Sequence, residues 1–305
     1  MSRYPNVSPK YRYTFPPYPV GWFCVAYSHE LEPGQVKPLE YFGKHLVLFR
    51  TEGGEAKLLD AYCPHLGAHL GYGGKVEGDD IRCPFHAWTF NGEGKCTSVP
   101  YAKKKIPAKA EIPCWPLREV NGMLMAWHHP DHEPPSWEVP TLVEFGSDEW
   151  TDYKFREWKI RTRNQEMAEN AVDTAHFRYL HGTQNLPEAE AQADGHVLRV
   201  VSKTVTRAHG MDVPGEIQVS MHGFGFTTTR FVGIVETLLV NSVTAIDDEF
   251  VHVRFAFMVK KVGGRTVTEG IGAAYIAEIE RQLEQDIPIW ENKIHVKPPI
   301  LCDND

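Results

Sequence analysis

Short apolar runs separated by turn sequences occupy the first part of the chain. The runs HLVLFR (45–50) and KLLDAY (57–62) flank the turn sequence GGE, and the run MLMAWHH (123–129) comes after a further turn sequence, NGEGK. Runs of this length between glycine-rich turns are typical of β-strands. The pattern predicts an all-β domain over residues 1–130, which includes a Pro- and Tyr-rich N-terminal arm.

In the second part of the chain, apolar residues also recur at the longer spacing that is typical of a helix. Residues 164–182 carry apolar side chains at i and i+4, which predicts a helix with Asn164 as its N-cap, and residues 270–293 predict another helix. The polar, proline-broken stretch 130–140 is interpreted as a linker before a second domain over residues 131–305. Helix, antiparallel strands and helix give this domain an α+β pattern. Apolar runs predict its strands at 196–206, 215–221, 224–233, 235–246 and 250–262.

The net charge and the N-terminal sequence exclude some classes of protein, among them nucleic-acid-binding and secreted proteins. The 305 residues carry a formal net charge of −8 at pH 7, so there is no overall basic field for nucleic acid and we expect no such partner. The first residues lack the apolar segment of a secretory signal, and no run approaches the ~18 apolar residues of a spanning helix. These patterns predict a cytoplasmic protein, with peripheral contact to a membrane left open.

Two mixed pairs of cysteine and histidine stand close together in the first domain. Cys63-Pro-His65 is followed, after residues 66–82, by Cys83-Pro-Phe-His86. A Rieske [2Fe–2S] centre requires two thiolates on one iron and two imidazoles on the other. A zinc site is the alternative, but zinc spacings usually pair cysteine with cysteine and histidine with histidine. The mixed pairing therefore favours the cluster.

A second group of metal-ligand residues lies in the second domain. Asp173, His176 and His181 form the pattern D-x2-H-x4-H. The spacing of the two histidines requires the helix to loosen or end between them, and Gly182 allows that. Asp286 in the last helix offers a distant carboxylate. Two histidines and one carboxylate form the facial triad of non-haem Fe(II) oxygenases, which leaves coordination positions open for O2.

These residues carry a resemblance to a known family. The motifs CPHLGAHLGYGGKVEGDDIRCPFHAWTFNGEGKC and ENAVDTAHFRYLHG resemble those of the oxygenase component of Rieske non-haem iron oxygenases. GKCTSVPYA, WHHPDHEPPSWEVP and DIPIWENKIHVKPPIL look most like the steroid branch, which holds 3-ketosteroid 9α-hydroxylases and Neverland-type cholesterol 7,8-desaturases. The resemblance implies an N-terminal all-β Rieske domain and a C-terminal catalytic domain with a helix-grip-like antiparallel sheet.

The resemblance also implies roles for single residues. Asp173 would match the family's bridging aspartate, which joins the cluster histidine of one subunit to the iron histidine of its neighbour in a head-to-tail homotrimer. The other residues would be ligands, four for the [2Fe–2S] cluster and three for mononuclear Fe(II): Cys63, His65, Cys83 and His86, and His176, His181 and Asp286.

The activity implied by the resemblance is hydroxylation or desaturation of a steroid or sterol C–H site. It would use O2 and electrons from a separate NAD(P)H-dependent reductase, with or without a ferredoxin. No G-x-G-x-x-G follows a predicted strand, so nicotinamide binding by this chain is not expected. A Rieske N- or O-demethylase or hydroxylase of a non-steroid aromatic or alkaloid is the alternative. A Rieske electron carrier would need only the first domain, and a zinc-stabilised binding module would be colourless.

An apolar substrate needs an apolar cavity, and the predicted strands of the second domain supply candidate walls. Each candidate wall residue could equally belong to an ordinary sheet core. Arg178 and Arg230 are the arginines that could serve an anionic substrate instead. The candidate wall residues are Phe224, Phe226, Phe231, Val232, Leu238, Leu239, Phe255 and Phe257.

Overall fold

The structure is a computed structural model of the 305-residue chain. It describes residues 12–183, 188–208, 211–233, 235–262 and 271–302. Within these residues, no helix combines the length and the apolar character needed to cross a membrane.

The chain divides into two compact units. One unit is Val20–Thr141, and the other joins Met1–Pro19 to Leu142–Asp305. This division differs from the predicted domains, 1–130 and 131–305, at both ends of the first one. The proline-broken stretch 130–140 belongs to the first unit, where the main-chain oxygen of Trp137 accepts a hydrogen bond from Trp22 Nε1 at 2.7 Å.

The N-terminal arm groups with the second unit, where Phe15 contacts His295 and Arg163 and where Arg12 is buried. The Arg12 guanidinium donates hydrogen bonds to the main-chain oxygens of Trp290 at 2.5 Å, Lys293 at 3.1 Å and Arg161 at 3.3 Å. A buried guanidinium needs acceptors for its N–H groups, and this unit supplies them. The arm therefore belongs with the second unit, although the sequence pattern placed it with the first.

The first unit is all-β, as predicted. Its strands form three antiparallel sheets with the orders β1-β11-β10, β2-β3-β4-β9 and β5-β6-β7-β8. The strands are β1 (Gly21–Tyr27), β2 (Val36–Tyr41), β3 (Lys44–Arg50), β4 (Ala56–Asp60), β5 (Lys75–Glu77), β6 (Asp80–Arg82), β7 (Thr89–Phe90), β8 (Cys96–Ser98), β9 (Cys114–Trp115), β10 (Leu117–Val120) and β11 (Met123–His128).

An ion pair joins two of these sheets. Arg50, at the end of β3, is buried and donates to both carboxylate oxygens of Glu119 on β10, at 2.7 and 2.9 Å. The same guanidinium donates to the main-chain oxygen of Leu31 at 2.7 Å. A bidentate pair fixes both distance and orientation. It therefore ties the end of β3, an inner strand of one sheet, to β10, an edge strand of the other.

The second unit is built on a seven-stranded antiparallel sheet with the order β12-β18-β17-β16-β15-β14-β13. Its strands are β12 (Lys154–Ile160), β13 (Glu188–Asp194), β14 (Val197–Ala208), β15 (Met211–His222), β16 (Phe226–Val232), β17 (Thr237–Ala245) and β18 (Val251–Val259). Helices α1 (Asn164–Glu169) and α2 (Ala175–Tyr179) precede the sheet's meander, and α3 (Ile271–Asn292) follows it. The predicted order of helix, antiparallel sheet and helix is confirmed.

Helix α3 lies on one face of this sheet. Its Ile276, Leu283 and Trp290 belong to the same buried cluster as side chains from β17 and β18. The spacing of these three positions places them along one side of the helix. Burial of that apolar stripe fixes the helix over the sheet, and Asp286, which lies between two of the stripe's residues, faces the same interior.

Three details of the second unit differ from the sequence-based prediction. The helix predicted over 164–182 is two short helices, because the chain turns at Asp173, whose Oδ1 accepts the N–H of Ala175 at 3.0 Å. Asn164 is not an N-cap, since it is the first residue of α1 and its Nδ2 donates to the main-chain oxygen of Val243 at 2.6 Å. Strand β13 was not predicted, because the only apolar residues in its alternating sequence EAEAQAD are alanines and all seven residues are exposed.

Candidate metal centres and substrate cavity

The two Cys–His segments of the first unit fold into matching loops. In the first loop, Cys63 N–H donates to Ala68 O at 2.9 Å and Gly67 N–H donates to Cys63 O at 2.9 Å. The second loop repeats both bonds from Cys83, at 2.8 and 3.1 Å. Gly67 and Ala87 occupy equivalent places with φ of +76° and +57°, a region that favours glycine. Ala87 adopts it because the paired hydrogen bonds hold the loop there.

These loops bring all four predicted cluster residues together. Cys63 and Cys83 are buried, unpaired by any disulfide, and in side-chain contact with each other. The ring centroids of His65 and His86 lie 4.7 Å apart. The loops thus present a pair of thiols beside a pair of imidazoles, which is the donor set of a Rieske centre.

The polar atoms of this group fit a bound cluster. The Nδ1 atom of His65 is buried and has no hydrogen-bond partner. Burial and the neighbouring Cys83 raise the pKa of Cys63 to about 11. A buried imidazole nitrogen without a partner, next to two buried thiols that form no disulfide, is a donor set that a metal cluster would satisfy. The residues present therefore fit a [2Fe–2S] cluster.

Trp88 supports the histidine side of this group. Its ring stacks on His65 with centroids 4.6 Å apart and an interplanar angle of 7°. Its Nε1 donates to the hydroxyl oxygen of Tyr101 at 2.8 Å. The sequence suggested packing beside the cluster for Trp88. It assigned no role to Tyr101, although this residue lies in the quoted segment GKCTSVPYA.

A second metal-ligand group lies in the second unit. Ligand atoms of His176, His181 and Asp286 all lie within 4.8 Å of one another. His181 Nε2 and the Asp286 Oδ1 are 3.4 Å apart, and the two imidazole centroids are 5.0 Å apart. Two imidazoles and one carboxylate on one side of a metal form the facial triad of Fe(II) oxygenases. The structure brings together the three residues that the sequence predicted.

The chain turn after α2 makes this convergence possible. The helix ends at Tyr179, and the N–H of His181 donates to the main-chain oxygen of His176 at 3.3 Å. Gly182 follows with φ of +77°, which reverses the chain without a Cβ penalty. In a continuous helix, residues five apart would point to different sides. The early end of the helix therefore aims both rings at Asp286 on α3.

Hydrogen bonds at Nδ1 orient both histidines. His176 Nδ1 donates to the main-chain oxygen of Asp173 at 2.5 Å, and His181 Nδ1 donates to Gln285 Oε1 at 3.0 Å. A carbonyl oxygen can only accept, so each Nδ1 carries the proton and each Nε2 is left free to bind a metal. Sequence reasoning missed Gln285, although it is adjacent to the candidate ligand Asp286.

Burial shifts the pKa values of two of these three side chains. It raises the pKa of Asp286 to about 7, against a hydrogen bond from Asn170, and the nearby Asp173 raises it further. Burial also lowers the pKa of His181. The site thus disfavours both a carboxylate and an imidazolium on their own. A divalent cation would compensate the buried carboxylate and bind neutral imidazoles, so these residues fit a mononuclear iron.

Asp173 lies at the surface next to this group. Its side chain is half-exposed, and its Oδ1 accepts the N–H groups of Ala175 at 3.0 Å and His176 at 3.3 Å. The second oxygen, Oδ2, is 3.6 Å from His176 Nδ1. Asp173 therefore touches a candidate iron ligand on one side and solvent on the other.

An apolar cavity of about 210 Å³ opens next to the three ligands. Helices α1 and α3 line one side, and the inner face of the sheet lines the other. Its wall includes His176, His181 and Asp286, so a bound molecule would lie against the metal ligands. The apolar residues that form most of the remaining wall are Met167, Phe177, Ile217, Val219, Met221, Phe224, Phe231, Leu239, Val243, Phe255, Ile279, Leu283 and Trp290.

The structure separates the predicted wall residues into two groups. Phe224, Phe231, Leu239 and Phe255 line the cavity, whereas Phe226, Val232, Leu238 and Phe257 do not. Within the described part of the chain, no lysine or arginine lines it. Arg230 lies on the opposite side of its strand, where it pairs with Glu144 and with Glu236 at 2.6 Å, and Arg178 is exposed. Neither arginine therefore faces a molecule in the cavity.

Two family models match successive parts of the chain. Residues 21–116 match the Rieske [2Fe-2S] domain, and residues 126–305 match the 3-ketosteroid 9alpha-hydroxylase C-terminal domain. The chain belongs to the Rieske oxygenase family. It is therefore a Rieske-type oxidoreductase, and enzymes of this family work with a [2Fe–2S] cluster and a mononuclear iron.

Two kinds of relative share most of this Rieske oxygenase's length. The oxygenase component of a 3-ketosteroid-9-alpha-monooxygenase from Rhodococcus rhodochrous is 31% identical over 93% of this chain and 78% of its own. The cholesterol 7-desaturase of Xenopus laevis is 33% identical over 95% of this chain and 69% of its own. The predicted family is confirmed.

Solved structures show the same fold at lower identity. A Pseudomonas putida CBB5 NdmA QL mutant with theobromine has a TM-score of 0.75 at 19% identity, over 93% of this chain and 85% of that chain. Dicamba monooxygenase bound to dicamba has a TM-score of 0.75 at 15% identity, over 93% and 92%. The predicted combination of a Rieske domain and an antiparallel-sheet domain is thereby confirmed.

Proposed function

We propose that this Rieske oxygenase hydroxylates or desaturates a C–H site of a steroid or sterol. The relatives named above are a 3-ketosteroid monooxygenase component and a cholesterol desaturase, and both match along most of this chain. The observation that carries the proposal is the cavity. Its wall is mostly apolar with some amide and hydroxyl side chains, has no lysine or arginine among the described residues, and reaches the three candidate iron ligands.

The shape of the cavity suits a long apolar molecule. Ile279 and Asp286 both line it and both lie on α3, so the cavity follows the helix for about 10 Å at the usual rise per residue. A fused-ring hydrocarbon buries apolar surface along its whole length and gains binding free energy without any charged partner. An anionic aromatic substrate would instead require a cationic group, which the described wall lacks.

The side chains of this protein would hold the metals and position the substrate. Cys63, His65, Cys83 and His86 would bind the cluster, and the facial triad described above would bind the iron. When bound, the cluster supplies single electrons and the iron supplies activation of O2. The apolar wall would exclude water and place one C–H bond of the substrate beside the triad.

Two kinds of protein partner belong to this proposal, an electron donor and further copies of the chain. We propose that a separate NAD(P)H-dependent reductase, directly or through a ferredoxin, supplies electrons to the cluster. We also propose a homotrimer in which Asp173 links the iron ligand His176 to a cluster histidine of the neighbouring subunit. The half-exposed carboxylate beside His176 supports this bridging role.

The proposed steroid site can be tested by measuring substrate binding to a matched pair of variants. Thr227 and Thr229 on β16 line the cavity, whereas the intervening Thr228 lies on the other face of the same strand. Thr229→Phe should fill the cavity and weaken binding of a 3-ketosteroid and of cholesterol at least about tenfold, while Thr228→Phe should leave both dissociation constants unchanged. Equal affinity of both variants and the wild type would contradict the proposed steroid site.

A further inference from the structure

One amide side chain in the wall of the cavity is held in a fixed orientation. Asn164, the first residue of α1, lines the cavity and is 2% exposed. Its Nδ2 donates hydrogen bonds to the main-chain oxygens of Val243 at 2.6 Å and Phe224 at 3.2 Å. A main-chain oxygen can only accept, so the NH2 group of Asn164 must face both of these atoms. Both of its N–H groups are thereby used within the protein.

The oxygen of the same amide is left without a partner. Asn164 Oδ1 is buried, and within the part of the chain that the structure describes it accepts no hydrogen bond. A buried amide oxygen without a donor costs free energy, because it has lost its contact with water and gained nothing in return. Such atoms are rare in folded proteins. A ligand in the cavity that donates a hydrogen bond to Oδ1 would remove this cost.

The polar side chains on the sheet side of the cavity do not distinguish a ketone from an alcohol. They are hydroxyl and amide groups that can either donate or accept a hydrogen bond, so they serve both kinds of ligand. These side chains are Ser202, Thr227, Thr229 and Asn241. Asn164 differs from them, because its N–H groups are occupied and its Oδ1 can only accept. It can therefore discriminate where the other four cannot.

We propose that Asn164 Oδ1 accepts a hydrogen bond from a hydroxyl group on a terminal ring of the substrate, which is therefore a steroid alcohol rather than a ketosteroid. The inference rests on the proposed function, because it needs a steroid in the apolar cavity. The O–H group of an alcohol donates to Oδ1, whereas a ketone oxygen can only accept and leaves Oδ1 unpaired. Sites that hydrogen-bond a substrate hydroxyl reject analogues without it for this reason.

The bound hydroxyl group lies at a distance from the carbon that reacts. Asn170 also lines the cavity, and its side chain hydrogen-bonds the candidate iron ligand Asp286. Asn164 is six residues earlier in the chain, so the two α-carbons are about 9 Å apart along the axis of α1 at the usual rise per residue. The hydroxyl group therefore orients the substrate, and a different ring carbon lies beside the triad.

The test measures binding of five ligands that share one saturated androstane skeleton. They are the hydrocarbon itself, its alcohols at carbons 3 and 17, and its ketones at the same two carbons, so both terminal rings are covered. Dissociation constants are measured by calorimetry on the oxidised holoenzyme without a reductant, so that no ligand is consumed. We expect one of the alcohols to bind the wild type at least about tenfold more tightly than the ketone at the same carbon.

Two leucine variants on α1 assign this preference to one residue. Asn164→Leu removes the acceptor, so the alcohol and its ketone should bind with similar affinity. Gln165→Leu is the matched control, because Gln165 donates to Glu169 Oε1 at 3.3 Å and does not line the cavity. It should keep the wild-type preference, and the hydrocarbon should bind all three proteins equally, since it makes no hydrogen bond. The comparison of ligands on the wild type still decides if Asn164→Leu fails to fold.

The failure of this proposal is distinguishable from failure of the proposed function. Ketones that bind the wild type as tightly as both alcohols, a preference that survives in Asn164→Leu, or one that is lost in Gln165→Leu would each overturn the role of Asn164. In those cases the cavity still binds steroids, and the proposed function stands. If none of the five ligands binds the wild type, the steroid assignment itself fails, and the hydroxyl contact fails with it.

Discussion

At the residue scale, the atoms that matter most in the second unit are the Nδ1 atoms of two histidines. Each donates to an oxygen that can only accept: Asp173 O for His176 and Gln285 Oε1 for His181. Each ring is thereby fixed in the tautomer that leaves Nε2 free. The protein thus orients two neutral imidazole ligands before any metal binds, because it places a hydrogen-bond acceptor beside each Nδ1 atom.

Loss of the Gln285 oxygen that accepts the hydrogen bond from His181 Nδ1 should weaken metal binding. In Gln285→Leu, Nδ1 has no partner and the ring loses its fixed orientation, so we expect Fe(II) affinity to fall about 10- to 100-fold. Gln285→Glu is the matched control, because it retains an acceptor at the same place. Iron titration followed by dialysis measures the loss. Unchanged affinity in the leucine variant would show that the hydrogen bond does not orient His181.

Two substitutions of Asp173 should separate its charge from its hydrogen bonds. Asp173→Asn keeps an oxygen that accepts the N–H groups of α2, so both metals should bind normally, but electron transfer between the centres should slow on the order of tenfold or more. Asp173→Ala should additionally destabilise the turn by about 1 kcal/mol. Cluster reoxidation under O2 with substrate present is the readout. A wild-type reoxidation rate in the asparagine variant would refute the bridge.

At the element scale, the first unit depends on the ion pair between β3 and β10. The hydrogen bonds from Arg50 lower the pKa of Glu119, although its burial acts in the opposite direction. A depressed carboxyl pKa stabilises the fold at pH values above the unfolded-state pKa. That stabilisation is lost as pH falls through the folded-state pKa.

A pH series on Glu119→Gln should show this loss. The wild type should have a higher urea midpoint than the variant at pH 7, because Arg50 loses its charged acceptor in the variant. Below about pH 4.5 the difference should shrink, since the wild-type carboxyl then becomes protonated too. Midpoints from tryptophan fluorescence between pH 3 and pH 7 provide the measurement. A difference that stays constant with pH would exclude Glu119 as its source.

Sequence patterns predicted some elements better than others, for physical reasons. The apolar strands and α3 carry a strong periodicity, and their positions were predicted. The break between α1 and α2 was not, because Met167, Ala171, Ala175 and Tyr179 keep the helical spacing across it. The turn depends on Asp173 Oδ1, which accepts hydrogen bonds from the N–H groups of Ala175 and His176. Tyr179 is exposed rather than part of a continuous apolar stripe.

At the scale of the whole molecule, the two metal groups belong to different compact units. The cluster residues lie in Val20–Thr141, and the facial-triad residues lie in the unit that contains Leu142–Asp305. The ligand spacing predicted the four cluster residues and the two histidines of the triad, whereas Asp286 was predicted as a distant carboxylate in the last helix. The cavity wall was harder to predict, because an apolar strand residue can face either side of a sheet. Of the eight candidate wall residues, Phe226, Leu238 and Phe257 are core instead and Val232 is exposed. Arg230 pairs with two carboxylates away from the cavity.

The central claim is that both metal groups serve oxidation of a steroid in the apolar cavity. A single-turnover assay tests it most directly. Chemically reduced holoenzyme is mixed with O2 and, in separate reactions, with a 3-ketosteroid, cholesterol and methoxy-aromatic compounds, and the products are identified by mass spectrometry. We predict that a steroid or sterol gains one oxygen atom or loses two hydrogens, in step with reoxidation of the cluster. Unchanged steroids together with demethylated methoxy-aromatics would contradict the claim.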